Sequence, residues 1–398
     1  MDFTFTEEQQ AATEAAKAVF SGVAPDGVPS PALVPGAVAE DIDRPLWAGL
    51  ASGDLLGLTL SPEHGGAGLD LVALCLVLRE SAKVLARVPL LETCAVAMAL
   101  QRYGNPRLAA ELLPRVGRGE LVLTVGANGR TGHDPAELAV TARREAAAGA
   151  GAGAGASADG GPDGGSDGGW VLDGTQSAVP WAQAADWIAI PAHIDEGRAV
   201  VALIQPAQDG VTLAEQVSTS GERFAEVRLE SVRVDGRALI DDPGAWEWLR
   251  ALLTTGTCAL ALGLGEAVLA MTSQYTGKRE QFGFPVATFQ SVAVQTADRY
   301  IDLRAMEVTL WQAAWRISTG AAGALPAEGD IAVAKIWASD GVRRVVQTAQ
   351  HLHGGFGADT DYPLHRFHAW AKQIELSLGP AAAHEEALGD LLAAHLLG

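Results

Sequence analysis

The sequence predicts an α+β fold with an N-terminal helical domain, a small middle β-barrel or sandwich domain, and a C-terminal antiparallel helical bundle. Three observations lead there. Of 398 residues 48% are apolar, more than one ordinary core takes up, so two or three packed units are expected. Apolar residues follow helical spacing in the first hundred positions, change near Glu120 to short β-rich runs, and return to helical spacing from Pro243. Gly, Pro, Asp and Asn gather between these runs, where chain reversals need them. The expected boundaries are 1–118, 119–240 and 241–398.

Thr6-Glu7-Glu8-Gln9 has capping-box spacing and opens an Ala-rich helix to Phe20. Residues 21–43, rich in Pro and Gly, read as a loop, and Pro45 to Leu50 as a short helix. Leu58 to Gly68 is a turn-rich connector. Leu69 to Leu85, Leu90 to Tyr103 and Pro106 to Val116 complete the first domain. Strands are expected at Leu121–Val125, Trp170–Leu172, Trp187–Ile190, Ala199–Ile204 and Ala225–Val234, where β-branched and aromatic residues cluster. Residues 146–169 alternate Ala and Gly and then repeat Asp-Gly. With almost nothing to bury, they read as a flexible insertion at a hairpin tip. Long helices are expected over Trp246–Gln281, Gln290–Thr319 and Asp330–His353. A last helical stretch, Pro363–Leu397, is broken at Gly379-Pro380. Long apolar helices joined by short loops imply an antiparallel bundle.

Lys plus Arg number 28 against 48 Asp plus Glu, a net charge of −20 at pH 7, which disfavours nucleic acid and anionic membrane surfaces. Cys75, Cys94 and Cys258 lie far apart without CxxC spacing, so neither a zinc site nor a disulfide framework is expected, in keeping with a reducing cytoplasm. The start, Met1-Asp2-Phe3-Thr4, has no basic and apolar signal-peptide pattern. The apolar stretch Ala251–Met271 is broken by threonines, glycines and Glu266, and reads as a buried core helix rather than a membrane span.

Two motifs suit a phosphorylated ligand. Lys278-Arg279-Glu280-Gln281-Phe282-Gly283 places a cation, an amide and an apolar plate where a helix is expected to end, with Phe289-Gln290 following. His353-Gly354-Gly355-Phe356-Gly357 supplies glycines that let a backbone approach a phosphate or adenosine closely. Taken singly, Arg279 could be a helix-end surface charge, and the glycines a helix cap and turn.

Together, and in order, these motifs resemble the R-x-Q-F-G…F-Q and H-G-G-x-G…Y-P signatures of the acyl-CoA dehydrogenase family. The second continues in Tyr362-Pro363-Leu364 and Arg366, and Ser61 to Gly68 is similar to the family's P-E-x-x-G-G-x-G loop. The resemblance spans nearly the whole chain. It implies α,β-dehydrogenation of an acyl-CoA thioester with FAD as cofactor, a carboxylate base, and electron-transfer flavoprotein as electron acceptor. It assigns FAD contacts to Arg279, Gln281, Phe282, Phe289, His351, Gly354 and Gly355, with His351 in the place of a common Gln. In the family the two motifs meet across a subunit interface, which implies a homodimer, a homotetramer or an α2β2 heterotetramer with a second chain of this kind.

The catalytic residue stays unknown at this stage. In many members the base lies sixteen residues after the Tyr of the Y-P pair, and here that position is Leu378. The alternative helix, Ala251–Gly265, has no Asp or Glu, and Thr254 stands where many members have Arg. Glu247, Glu266 and Glu375 are nearby acids with plainer explanations: Glu375 as a partner of Lys372, Glu266 as an exposed helix position. The β-domain departs too, since Thr124–Gly129 lacks the family's acidic and Ser residues, and Val179-Pro180-Trp181 replaces part of its Trp-containing run. The pattern is similar to the base-lacking subunits of actinobacterial heterotetrameric acyl-CoA dehydrogenases of sterol side-chain breakdown. A non-catalytic structural subunit, or a same-fold flavoenzyme with different oxidation chemistry, is the alternative.

Overall fold

A computed structural model describes residues 4–25, 31, 34–39, 42–130, 138–145, 169–194 and 197–395. The Thr6 capping box forms as its spacing requires: Thr6 accepts the Gln9 N–H and the Gln9 side chain accepts the Thr6 N–H, opening α1 (Glu7–Phe20). Asp43 and Asp70 cap α2 (Arg44–Ser52) and α3 (Leu71–Lys83) in the same way, with side chains accepting N–H groups of the first turn. Helices α4 (Leu90–Tyr103) and α5 (Pro106–Gly117) complete the N-terminal helical domain.

The middle domain is one eight-stranded sheet. Its strands are β1 (Leu123–Val125), β2 (Val140–Arg144), β3 (Trp170–Pro180), β4 (Trp187–His193), β5 (Ala199–Ile204), β6 (Val211–Val217), β7 (Arg223–Val234) and β8 (Leu239–Ile240). The order is β6-β7-β3-β2-β4-β5-β8, with β1 parallel beside β4. β8, two residues long, goes beyond the sequence reading, and so do β2 and β6. Arg143-Arg144 in one and Glu215-Gln216 in the other, together with surface exposure, hide the apolar signal of a strand. The expected insertion 146–169 lies outside the described residues apart from Gly169. It falls between β2 and β3, whose ends pair at Arg144 and Trp170.

The C-terminal domain holds α6 (Ala245–Lys278), α7 (Gln290–Thr319), α8 (Ala327–His353), α9 (Leu364–Leu376) and α10 (Ala381–Ala394). α6 does not reach Gln281: it ends at Lys278 and a small hairpin follows, β9 (Glu280–Gln281) and β10 (Phe284–Pro285). With 34 residues, α6 is long and apolar enough to cross a membrane, yet most of it is buried inside the protein. It packs against α3 and α4 on one side and α7, α8 and α9 on the other, so the two helical domains share one core. Small residues permit the approach. A methyl at Gly263 would overlap the Arg79 carbonyl oxygen of α3, and one at Gly256 would overlap Leu91 of α4. These glycines are close-packing positions.

Beside this seam Glu266 corrects the sequence reading. It is not an exposed helix position but the centre of a part-buried ion cluster, with Arg79 Nε at 2.8 Å and Lys83 Nζ at 3.3 Å. On the other side of α3, Arg87 Nε reaches Glu222 Oε1 of the sheet domain at 3.0 Å, and Glu222 also feels the Arg366 guanidinium of α9. Glu222 is 3% exposed and Arg366 4%, so one buried carboxylate is shared by residues of all three domains.

Gly263→Ala is expected to destabilise the chain by about 1–3 kcal/mol or more, because the overlapping atom is backbone and cannot rotate away. Chemical denaturation of the two proteins measures it, with Gly277→Ala, which meets nothing within 4 Å, as the neutral control.

Candidate functional site

Two places bring the singled-out residues together, one inside and one on the surface. The inner one is a cavity of about 120 Å³ where the three domains meet. Leu378 forms part of its wall and is 9% exposed. The segment that carries Leu378 is held from two sides, by α8 and α10. Lys335, buried on α8, donates from Nζ to the Glu375 and Ile374 carbonyls at 3.0 and 3.3 Å and to Ser339 Oγ at 2.7 Å, capping the C-terminus of α9. Burial pulls this lysine down to about 8. Lys372 Nζ lies 2.6 Å from Glu375 Oε2, the pairing expected for that acid. His384, pulled down to about 4 by burial, is neutral at pH 7 and donates from Nε2 to the Leu378 carbonyl at 2.9 Å. Leu378 itself has φ +58°, a left-handed conformation that a branched side chain rarely adopts.

Sequence reasoning missed the two acids that do line this cavity, Glu222, paired with Arg87, and Glu92. Glu92, in the first turn of α4, accepts a hydrogen bond from the Trp181 indole, and burial pushes its carboxyl up to about 7. No motif marks it, because it meets Trp181 only through the packing of α4 against the end of β3. Val125, Ala127 and Asn128 line the same cavity, which is where the departures from the family's β-domain pattern fall. Glu247 does not line this cavity: it is exposed, on a second groove between α6, α8 and α10 with Arg250, Glu328, Glu386 and Asp390, whose wall also includes Thr254 and Leu378.

The outer place is the end of α6. Arg279 is its C-cap, exposed, with no carboxylate partner among the described residues. Gln281 pairs with Phe284 across the β9–β10 hairpin, so it lies past the helix rather than at its end. The hairpin turns through Phe282 and Gly283 at φ +56° and +81°, which leaves the Phe282 ring 90% exposed and edge-on to Phe289 at 6.3 Å. Arg279 and Lys278 share a cleft with Tyr275, Phe356 and Tyr362, and this cleft joins the two signature motifs. Tyr275 stacks on His353 at 4.3 Å and on Phe356 at 5.3 Å. His353 Nδ1 is 2.8 Å from the Ala349 carbonyl, an acceptor only, so the ring's proton is there and Nε2 accepts the Tyr362 hydroxyl at 3.0 Å. Gly354, at φ +61°, caps α8, and added methyls at Gly354 and Gly355 would meet nothing within 4 Å. His351 is exposed on the last turn of α8, while its neighbour Gln350, which sequence reasoning passed over, donates to the Gly354 carbonyl at 3.1 Å.

FAD fits these two places differently. The outer surface offers a guanidinium without an ion-pair partner among the described residues, exposed aromatic rings and sterically open glycines, a set suited to a dinucleotide. The inner cavity is too small: a void of about 150 Å³ holds benzene, so 120 Å³ does not hold a three-ring flavin.

Glu92 also sets a pH dependence. Its carboxyl ionises near 4.5 in the unfolded chain and near 7 in the fold, so between these values the folded state holds the extra proton. Its contribution to stability is complete below about 4.5 and is lost as pH rises through 7. Glu92→Gln should therefore gain stability over the wild type between pH 5 and pH 8, by on the order of 1–3 kcal/mol. Urea denaturation at the two pH values measures this, and a pH-independent difference contradicts it.

Comparison with known proteins agrees with the fold. A family model described as "Acyl-CoA dehydrogenase, N-terminal domain" matches residues 6–120, and one described as "Acyl-CoA dehydrogenase, C-terminal domain" matches residues 253–392. The acyl-CoA dehydrogenase FadE27 of Mycobacterium tuberculosis is 32% identical over 89% of both chains. FadE28 of the same organism is 27% identical over 98% of both. Among solved structures, a chain from a variant of the Tcur3481-Tcur3483 steroid ACAD superposes with a TM-score of 0.84 at 35% identity, covering 98% of each chain. A chain of the ChsE4-ChsE5 complex from Mycobacterium tuberculosis gives 0.84 at 32% identity, covering 99% of each. With helical, sheet and helical domains in the family's order and both signature motifs on one surface, this chain belongs to the acyl-CoA dehydrogenase family, oxidoreductases that act on CH–CH bonds.

Proposed function

We propose that this chain is one subunit of an FAD-dependent acyl-CoA dehydrogenase heteromer, an α2β2 assembly whose partner chain supplies the catalytic carboxylate and the pocket for the flavin ring. The observation that carries this reading is Leu378: the position that many family members give to the base is an alkyl side chain on the wall of a cavity too small for flavin. Arg279, Gln281, Phe282, Phe289, His351, Gly354 and Gly355 then serve the partner's flavin from outside. When bound there, FAD supplies hydride acceptance, and electrons pass on to electron-transfer flavoprotein. The work of this chain's residues is to hold the dinucleotide. Arg279 neutralises its phosphates, the open backbone at Gly354 and Gly355 admits it, and Phe282 covers it.

A further feature supports a partner. Val294, Ile301, Val308 and Trp315, seven residues apart along α7, are all exposed, and Phe282 and Phe284 continue the apolar surface at its start. An apolar stripe at heptad spacing suits packing against another helix. The names of the structural relatives suggest a steroid-derived acyl-CoA as substrate, bound by the partner. The reading of a purely structural subunit differs in one respect: it leaves Arg279 without a task.

Co-expression with a base-bearing chain of the same family should give a yellow complex. Arg279→Ala should weaken FAD retention at least tenfold without breaking the complex, as read by flavin absorbance across size-exclusion fractions. A complex that keeps its flavin equally well without Arg279 would favour the structural reading.

A further inference from the structure

The cavity behind Leu378 is small for a specific reason. Trp181, at the end of β3, lies on its wall with φ +58°, and its indole N–H is tied to the buried Glu92 carboxyl. Both features are costly. An aromatic residue in the left-handed region is strained, and a carboxyl taken out of water loses its hydration. They coincide on one contact, at the start of the turn between β3 and β4. The backbone around the indole is strapped as well. Thr124 Oγ donates to the Pro180 carbonyl at 2.6 Å, and Asn128 Nδ2 donates to the Ala178 carbonyl at 3.0 Å. The Trp181 carbonyl accepts the N–H groups of Ala184 and Ala185 at 2.9 and 3.0 Å. β3 breaks register with β7 between Gln176 and Val179, just before this segment, so the strand end is re-aimed toward the cavity. Strain that surrounding structure over-determines in this way marks a position with a role.

We infer that Trp181, latched by Glu92, is a plug that keeps a flavin-sized ring out of this chain's own three-domain pocket. Much of that pocket's wall is apolar, with Val125, Pro180, Phe224, Leu253 and Leu260, and its polar side includes Asn128, Thr257, Gln373 and the Glu222 carboxylate. Replacing the indole by nothing, at a backbone conformation glycine prefers, both enlarges the space and relaxes the turn. The inference stands on the cavity and not on the identity of the partner chain.

Lumiflavin, which is the ring system without the nucleotide, separates the plug from the outer half-site. Titrated against the full chain, it should bind Trp181→Gly at least tenfold more tightly than the wild type. Trp181→Phe, which keeps the bulk and loses the hydrogen bond, should stay near the wild type. If Trp181→Gly does not fold, Trp181→Asn replaces it, since Asn tolerates the left-handed conformation. Equal binding by the wild type and the opened variant overturns the plug. One measurement needs no variant: a co-purified wild-type complex should hold one FAD per two chains, and two FAD per two chains overturns the plug. A complex with no flavin at all counts against the proposed function instead, and the lumiflavin titration still decides the plug.

Discussion

The arrangement of the three domains depends on one buried carboxylate. Glu222, at the turn leading into β7, is almost wholly out of water, and the N-terminal and C-terminal helical domains each bring it a guanidinium, Arg87 and Arg366. An ion so placed is stable only where its partners are close and well directed, so it contributes geometry more than energy. The Ser220 hydroxyl adds a bond of 2.6 Å to Gln373 of α9 beside it. Together these contacts hold α9 against the sheet, and α9 leads directly into Leu378. Glu222 itself lines the cavity between the domains.

Within that frame the chain divides its polar chemistry between inside and outside. Inside, the titratable groups near Leu378 are committed to structure: Lys335 caps α9, His384 holds the Leu378 carbonyl, and Glu92 holds an indole. Glu92 and Glu222, the carboxylates on that cavity's wall among the described residues, are each tied to a neighbour, Glu92 to the Trp181 indole and Glu222 to Arg87. Outside, Arg279 has no ion-pair partner among the described residues, Phe282 stands in solvent, and the Gly354-Gly355 backbone is open. Titratable groups paired around Leu378, and an Arg279 left without an ion-pair partner among the described residues, are what one expects when the ligand belongs to an interface.

Much of this was legible in the sequence because its causes are local. Helix existence followed apolar periodicity and the Thr6 capping box, and the end of α8 followed from Gly354. The outer site was legible for the same reason, since each of its two motifs is contiguous. Three strands of the sheet were not: β2 and β6 expose half of their residues and so lack a continuous apolar run, and β8 is only two residues long. The hairpin after α6 was hidden by a helical pattern that runs past Lys278. The inner cavity was the least legible part. Glu92, Trp181 and Leu378 are far apart in the chain, and only the close packing of α6 on α3 and α4 brings their elements together. Glu266 looked exposed by helical spacing, because its partners Arg79 and Lys83 lie on another domain.

The central claim is that this chain offers half of a flavin site on its surface and none inside. The most direct test is a crystal structure of the co-purified complex with FAD bound. The account predicts the pyrophosphate within hydrogen-bonding distance of Arg279 and the Gly354-Gly355 backbone of this chain, with the flavin ring in the partner. A flavin ring lodged between Trp181 and Leu378, or an Arg279 turned to solvent away from any nucleotide, would contradict it.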